Sequence, residues 1–213
     1  TEIYTLSLHD ALPILAESAD ELPSGGQPVA ELKGKQFIMY VGRPTPHKNL
    51  RRLIDAFVLL QQKHPGLILA LAGKKDGNYA RHEAYVKENG IKNIVFTDFI
   101  PDEQLRWMYE NTAVYCFPSL SEGFGLPGLE AMLHGAPVAS STATCLPETH
   151  GDAACYFDPY DVEDIARVID ELLTNQALRN ELIAKGKKHA HSFSWQRMAE
   201  QTLAVYNKYG RKL

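Results

Sequence analysis

Short apolar runs alternate along the chain with segments whose apolar residues recur at the spacing of a helix. Six of these runs lack the polar alternation of a half-exposed strand, which is typical of strands buried on both faces. They lie at residues 37–42, 67–73, 94–100, 113–118, 137–141 and 154–158, the last being the weakest of the six. Because helical segments separate them, we expect right-handed crossovers and parallel pairing. The pattern therefore predicts a single doubly wound, Rossmann-like α/β sheet, which binds ligands at the carboxyl ends of its strands.

The helical segments show their own apolar stripes. Leu50, Ile54, Phe57 and Val58 recur at i, i+4, i+7 and i+8, so a helix follows the first strand. More polar helices are predicted around residues 79–89 and 102–110, and a short one follows the fourth strand and ends at Gly135. Three further helices close the chain, and their stripes are Val162, Ile165, Ala166, Ile169 and Leu173; Leu178, Leu182 and Ile183; and, after an expected N-cap at Ser194, Trp195, Met198, Ala199, Leu203, Tyr206 and Tyr209.

Composition excludes several classes of protein. The 213 residues are 45% hydrophobic and 23% charged, as in an ordinary globular protein, and suffice for one large or two small domains. The net charge of -4 and the lack of Lys/Arg-rich runs argue against nucleic acid, and no apolar run is long enough to span a bilayer. Three cysteines without CxxC spacing favour buried reduced thiols, and we expect a cytoplasmic protein.

Two cations follow the first predicted strand, in the segment VGRPTPHKNL. Gly42 allows a turn, Arg43 and Lys48 flank that turn, and Asn49 is positioned to cap the next helix. Such a site suits a diphosphate, to which Arg offers a fork and Lys a point charge. Charged hydrogen bonds contribute roughly 1.5–3 kcal/mol each, more than the roughly 0.3–1 kcal/mol of a helix dipole. The alternative is that both cations are solvated loop charges.

Two carboxylates flank the loop that follows the fourth predicted strand, SEGFGLPGLE. Glu122 and Glu130 lie eight residues apart, around a turn that Gly123 and Gly125 make flexible, and Pro127 suits the first helical position. Free main-chain N–H groups at a helix N-terminus suit an anion, and carboxylates suit hydroxyls. A ligand with central phosphates and a sugar at either end, such as a nucleotide sugar, matches both. Taken alone, Glu130 could simply favour the first turn of its helix.

The chain resembles the retaining GT-B glycosyltransferases of family 4, over residues 37–196. The segments that carry the resemblance are YVGRPTPHKNL, PSLSEGFGLPGLEAMLHGAPVASS, LPETHGDAACYFDP and SFSW. In that family they form the carboxyl-terminal domain, which binds the nucleotide-sugar donor. The resemblance therefore implies the second half of a two-domain enzyme.

The resemblance also implies roles for particular residues. Arg43 and Lys48, beside the Gly42 turn, would hold the donor pyrophosphate, and Glu122 would contact the transferred sugar; these three side chains are the candidate catalytic residues. Glu130 would bind the ribose hydroxyls. The main-chain N–H groups that would support sugar and phosphate belong to Gly123, Phe124, Gly125 and Leu126.

The base of the donor would lie near Phe99, Ile100 and Pro101, held largely by main chain. One departure falls beside it, because the family often has glycine where this chain has Asp98. That substitution bears on the identity of the base and on the local turn.

The resemblance implies transfer without a metal or another cofactor. The chain has no Asp-x-Asp element, and His189 and His191 lack an acidic or cysteine partner at metal-ligand spacing. The cations and helix N-termini would stabilise the departing nucleoside diphosphate. We assign no protein nucleophile, and we expect EDTA to leave the activity of the full enzyme unchanged.

The predicted reaction is transfer of a hexose from a nucleoside-diphosphate sugar to a glycan or lipid-linked acceptor. Mannose from GDP-mannose is favoured, with UDP-glucose second. Two alternatives stay open: a GT-B sugar-nucleotide epimerase or phosphorylase, and a non-catalytic nucleotide-sugar-binding subunit.

We divide the chain into four parts. Residues 1–14, TEIYTLSLHDALPI, resemble a translated sequencing adapter, the alternative being an ordinary N-terminal tail; residues 15–35 are a linker or domain entry. Residues 36–194 form the nucleotide-sugar-binding domain and residues 195–213 a C-terminal helix. The acceptor would bind through a missing N-terminal domain, so we expect this fragment to be inactive. Peripheral membrane association of the full-length enzyme is left open.

Overall fold

The computed structural model describes residues 26–209, apart from the side chains of Trp195 and Tyr209. The predictions for residues 1–14, for residues 15–25 of the linker and for residues 210–213 lie outside the described residues.

All six predicted strands are present and form one parallel sheet. The order across the sheet is β3-β2-β1-β4-β5-β6. This is the doubly wound topology expected from the sequence, with the edges formed by β3 and β6. The strands are β1 (Phe37–Val41), β2 (Ile68–Ala72), β3 (Ile94–Asp98), β4 (Val114–Phe117), β5 (Val138–Ser141) and β6 (Ala154–Phe157).

The predicted helices are also present, and one short helix was not foreseen. Within residues 26–209 they are α1 (Leu50–Lys63), α2 (Gly77–Glu88), α3 (Asp102–Asn111), α4 (Leu126–Leu133), α5 (Leu146–His150), α6 (Val162–Thr174), α7 (Gln176–Ala190) and α8 (Trp195–Tyr209). Helix α5 is the unforeseen one, since five residues are too few to show a stripe. Ser194 caps α8 as predicted, because its Oγ accepts from Arg197 N at 3.1 Å. None of the helices described is long and apolar enough to cross a membrane.

Alternate residues of each central strand enter two separate cores. Phe37 and Met39 of β1 pack with α3 and α4 on one face, whereas Ile38 and Tyr40 pack with α1 and α6 on the other. Apolar burial stabilises the fold by roughly 25 cal/mol per Å² of apolar area removed from water, so both faces contribute. Cys116 lies in the second core, and all three cysteines are unpaired.

The turns after β1 and β2 pack backbone against backbone. Gly42 N donates to Ala72 O at 2.9 Å, and a Cβ added at Gly73 would lie 2.2 Å from the Gly42 carbonyl oxygen. Gly73 also has φ +154°. The position of the Gly42 turn at the sheet edge therefore depends on Gly73 having no side chain.

One buried histidine links the sheet to the loop before α4. His150 is fully buried, with Nδ1 at 3.1 Å from Ser140 Oγ and Nε2 at 3.2 Å from Gly125 O. A carbonyl can only accept, so Nε2 carries the proton and Nδ1 accepts from the Ser140 hydroxyl. Burial, opposed by the Gly125 carbonyl, lowers the pKa of His150 to about 4, so the ring is neutral.

We expect substitution of Gly73 by alanine to destabilise the protein by about 2–4 kcal/mol. The new Cβ would overlap the Gly42 carbonyl and would have to adopt a glycine conformation. Urea denaturation of Gly73→Ala measures the loss, and Gly66→Ala is the matched control, because a Cβ at Gly66 meets nothing within 4 Å. Equal stability of the two variants would contradict the packing described.

We expect His150 to make stability depend on pH between about 6.5 and 4. Its pKa is lower in the folded than in the unfolded chain, so its contribution is fully present above pH 6.5 and is lost as the pH falls. The full shift corresponds to about 3 kcal/mol. Glu122 and His189 face the ring with opposite effects on its pKa. Urea denaturation at pH 7 and pH 4.5 should show a larger loss for the wild type than for His150→Gln; identical losses would refute the assignment.

Candidate donor-binding site

The predicted cationic turn and the predicted acidic loop meet at the carboxyl edge of the sheet. After β1 the chain turns at Gly42 and forms a 3₁₀ turn over Pro46–Lys48. Lys48 Nζ lies 2.6 Å from Glu122 Oε1, in the loop after β4, and both side chains are largely buried. Leu120 N also donates to His47 O at 2.7 Å. The two segments therefore form one site, although 74 residues separate Lys48 from Glu122 in the chain.

Arg43 follows Gly42 in the same turn as Lys48, and its side chain is exposed and has no protein partner among residues 26–209. The main chain of Arg43 is held by a buried side chain, because the Tyr40 hydroxyl donates to Arg43 O at 3.3 Å. A Cβ at Gly42 would lie 2.7 Å from the same hydroxyl. The turn thus needs glycine at position 42, and it leaves the Arg43 side chain available to an anion.

The loop from Gly123 to Leu126 presents main-chain donors at the N-terminus of α4. Gly125 is the N-cap, with φ +101°, and Gly128 N donates to Gly125 O at 3.0 Å. Within residues 26–209 none of the four N–H groups from Gly123 to Leu126 donates to a protein acceptor. Pro127 was predicted at the first helical position, but it occupies the second because α4 begins at Leu126. These donors suit an anion.

Glu130 lies on α4 and is held by α3. Tyr109 OH, on α3, donates to Glu130 Oε2 at 3.0 Å. Burial raises the pKa of Glu130 although the Tyr109 hydrogen bond opposes the shift. The hydrogen bond from Tyr109 uses only one of the two carboxylate oxygens of Glu130. Tyr109 was missed by the sequence prediction, because an aromatic residue at helical spacing indicates only a core position.

The turn after β3 accommodates the unusual Asp98. Asp98 has φ +61°, a left-handed conformation that glycine adopts most readily. Its Oδ1 accepts from Lys75 N and from Phe99 N, both at 2.8 Å, and these bonds lower its pKa. The aspartate therefore preserves the glycine-like turn, while it uses the Phe99 N–H that a base could otherwise contact. The Phe99 ring is 75% exposed, and Ile100 is half-buried beside it.

Asn49 occupies the N-cap position of α1, as predicted, but its side chain makes no capping hydrogen bond. It is buried with φ +60°, and its side-chain nitrogen donates to Pro118 O at 3.0 Å and to Pro159 O at 2.8 Å. It therefore ties together the loops after β1, β4 and β6. No local pattern distinguishes this role from a cap, because its partners lie 69 and 110 residues away.

The main chain of Glu122 is held by the turn before α5. Glu122 N donates to Thr144 Oγ1 at 3.1 Å, and Cys145 Sγ donates to Glu122 O at 3.3 Å. The sequence prediction did not identify these residues. In the described part of the chain no group of three or more His, Cys, Asp or Glu side chains could hold a metal ion.

Comparison with known proteins identifies the family of the chain. A family model described as glycosyl transferases group 1 matches residues 27–189. The O-antigen chain mannosyltransferase B of Escherichia coli is 34% identical over 181 residues, which cover 83% of this chain and 47% of that protein. An MMP alpha-(1->4)-mannosyltransferase of Mycolicibacterium hassiacum is 35% identical over 178 residues, covering 81% and 43%.

A solved structure shows the same fold. Sucrose-phosphate synthase from Thermosynechococcus elongatus superposes with a TM-score of 0.74 at 26% identity, over 88% of this chain and 50% of that one. The chain thus spans about half the length, or less, of the relatives and of the solved chain that it matches. Given a family match over most of its length and relatives above 30% identity, the chain belongs to the group 1 glycosyl transferases.

Proposed function

We propose that this chain is the donor-binding part of a retaining, family 4 glycosyltransferase that transfers a hexose from a nucleoside-diphosphate sugar. The observation that carries the proposal is the contact of Lys48 with Glu122 at 2.6 Å. It brings a cation suited to phosphate and a carboxylate suited to hydroxyls into one site, as the junction between a pyrophosphate and a sugar requires.

In this proposal the pyrophosphate replaces Glu122 as the partner of Lys48. The exposed Arg43 and the N–H groups from Gly123 to Leu126 complete the proposed set of donors. As the glycosidic bond breaks, negative charge grows on the leaving nucleoside diphosphate. Donors already in position stabilise that charge without reorganisation, which lowers the barrier. Metal-independent transfer follows as part of the proposal.

The two carboxylates take different parts of the donor. Glu122, released from Lys48, accepts from hydroxyls of the transferred sugar. Glu130, oriented by Tyr109, accepts from the ribose hydroxyls, and the base lies near Phe99 and Ile100. The Asp98 turn leaves few main-chain donors for the base, which points to contacts with its faces and edges from side chains.

Mannose is the sugar that we propose, from GDP-mannose, with UDP-glucose as the second choice. Support comes from the two mannosyltransferases described above, at 34% and 35% identity. The acceptor that we propose is a glycan or a lipid-linked acceptor. The E. coli relative carries "O-antigen chain" in its name, and such a chain is a glycan.

In this proposal, the acceptor-binding site and the other side of the active-site cleft lie in a part of the protein outside this chain. This chain matches 47% or less of the two mannosyltransferases. We therefore propose that it binds the donor but has little or no transferase activity by itself. A cytoplasmic enzyme, with peripheral attachment to a membrane through the missing part, completes the proposal.

We expect the two carboxylates to differ in which ligands they affect. Glu122→Gln should weaken GDP-mannose by roughly 10-fold or more, while GDP binds equally or more tightly because Lys48 loses its internal partner. Glu130→Gln should weaken both ligands to a similar extent. Calorimetric titration with GDP, UDP, ADP and their sugars measures both effects.

The control for this titration is Glu88→Gln, at the exposed end of α2, which should bind like the wild type. Equal losses of GDP and GDP-mannose in Glu122→Gln would contradict the role given to Glu122. A wild-type chain that binds none of the nucleotides would contradict the proposed function.

We expect EDTA to leave transfer unchanged in the complete enzyme, since cationic side chains and N–H groups carry the counter-charge. Initial rates with and without EDTA, and after addition of Mg²⁺ or Mn²⁺, provide the test. The 213-residue chain assayed alongside should give little or no product. A large loss of rate on chelation, restored by metal, would exclude this mechanism.

A further inference from the structure

We propose that His150 is a positioning residue of the donor site, and that the segment 144–150 clamps the loop 122–125 at both ends. The contacts that define this clamp are Thr144 and Cys145 on Glu122, and His150 on Gly125. The consequence for ligand binding rests on the proposed function, whereas the effect on the loop itself does not.

The first end of the clamp holds the main chain of Glu122. Its N–H group donates to Thr144 Oγ1, and its carbonyl accepts from Cys145 Sγ. Thr144 has φ +51°, which is an outlier for a β-branched residue and is a strained conformation. Such a conformation persists only where surrounding contacts impose it. The turn therefore supports the clamp at a cost in backbone strain.

The second end of the clamp is the imidazole of His150, which lies directly against the backbone of α4. A Cβ at Gly128 would lie 2.2 Å from Nε2. A Cβ at Gly125 would lie 3.3 Å from the same nitrogen and 2.6 Å from Leu146 Cδ2. Two glycines in the sequence GFGLPG are therefore needed to admit the ring and the leucine beneath the loop.

The His150 ring connects the loop to strand β5 of the sheet. Ser140 lies in β5, is fully buried, and donates to Nδ1; Nε2 then donates to Gly125 O. This orientation fixes the peptide after Gly125, the N-cap residue of α4. That peptide and its neighbours carry the N–H groups that face the proposed phosphates.

Loss of the His150 bond should weaken binding without any lost contact to the ligand. A loop with glycine at positions 123 and 125 has many conformations available, and only one directs the N–H groups together. The apparent affinity falls with the fraction of molecules in that conformation. Removal of one neutral hydrogen bond changes such a fraction by roughly 3- to 10-fold.

The test compares four variants of the full chain. His150→Phe fills the space but donates no hydrogen bond, whereas His150→Gln retains a side-chain N–H near the position of Nε2. Ser140→Ala leaves the ring in place without its anchor. His64→Phe is the matched control, because it removes a histidine bond of similar length, from His64 Nε2 to Asp170 Oδ1 at 2.7 Å, at the C-terminal end of α1.

Two readouts are measured at equal global stability, set with urea. The first is amide hydrogen exchange of residues 123–128, which needs no ligand. The second is the Kd for GDP and GDP-mannose by calorimetry. His150→Phe should exchange at least 10-fold faster in this loop, with β1 and β4 unchanged, and bind both ligands about 3- to 10-fold more weakly. His150→Gln should restore both values to within about twofold, and His64→Phe should alter neither.

Each other result counts against the proposal. Unchanged loop exchange in His150→Phe, or an equal change in His64→Phe, would show that His150 is only a core residue. If His150→Phe does not fold, Ser140→Ala decides, with faster loop exchange expected and wild-type exchange contradicting the clamp. If exchange changes as expected but no variant, including the wild type, binds GDP, the clamp stands and the proposed function fails.

Discussion

β1 and β4 are hydrogen-bonded neighbours at the centre of the sheet, although two strands and three helices separate them in the chain. The chain leaves β1 toward one edge of the sheet and leaves β4 toward the other, so the loops after them diverge and leave a crevice. Lys48 and Glu122 lie on either side of that crevice and are close enough to form an ion pair. Every role proposed for the donor site depends on this one adjacency.

The charged groups at the centre of the site are either exposed or paired, whereas its buried hydrogen-bonding groups are uncharged. The Arg43 side chain is exposed to water, and the largely buried Lys48 and Glu122 charges neutralise each other in an ion pair. The buried hydrogen-bonding groups are neutral: the Tyr40 and Tyr109 hydroxyls, the Asn49 amide and the His150 imidazole. A buried unpaired charge would cost far more than a satisfied neutral donor, which explains this division. Glu130 is half-buried and accepts a hydrogen bond from Tyr109, and burial raises its pKa.

The sequence predicted the six strands, their parallel pairing and the segments that carry the site. Runs without polar alternation suffice for this, because burial on both faces leaves no polar position in a strand. It also predicted that the segments of Arg43 and Glu122 meet, since parallel strands place their carboxyl ends at one edge. The unforeseen partners of Asn49 and the omission of His150, Tyr109 and Thr144 have a common cause. Each acts on a partner distant in the chain, and a periodicity argument contains no information on distant partners.

The amino-acid sequence by itself determined the fold class and the places where ligand chemistry could occur, because hydrophobic period and glycine-rich turns are local properties of the chain. Only the tertiary structure decided how those places are held. It paired Lys48 with Glu122, placed Asn49 across three loops, let Asp98 replace a glycine, and set a neutral histidine beneath the loop before α4. These contacts arise only when the strands are assembled, since the packing of the sheet and not the neighbouring residues selects which donor meets which acceptor.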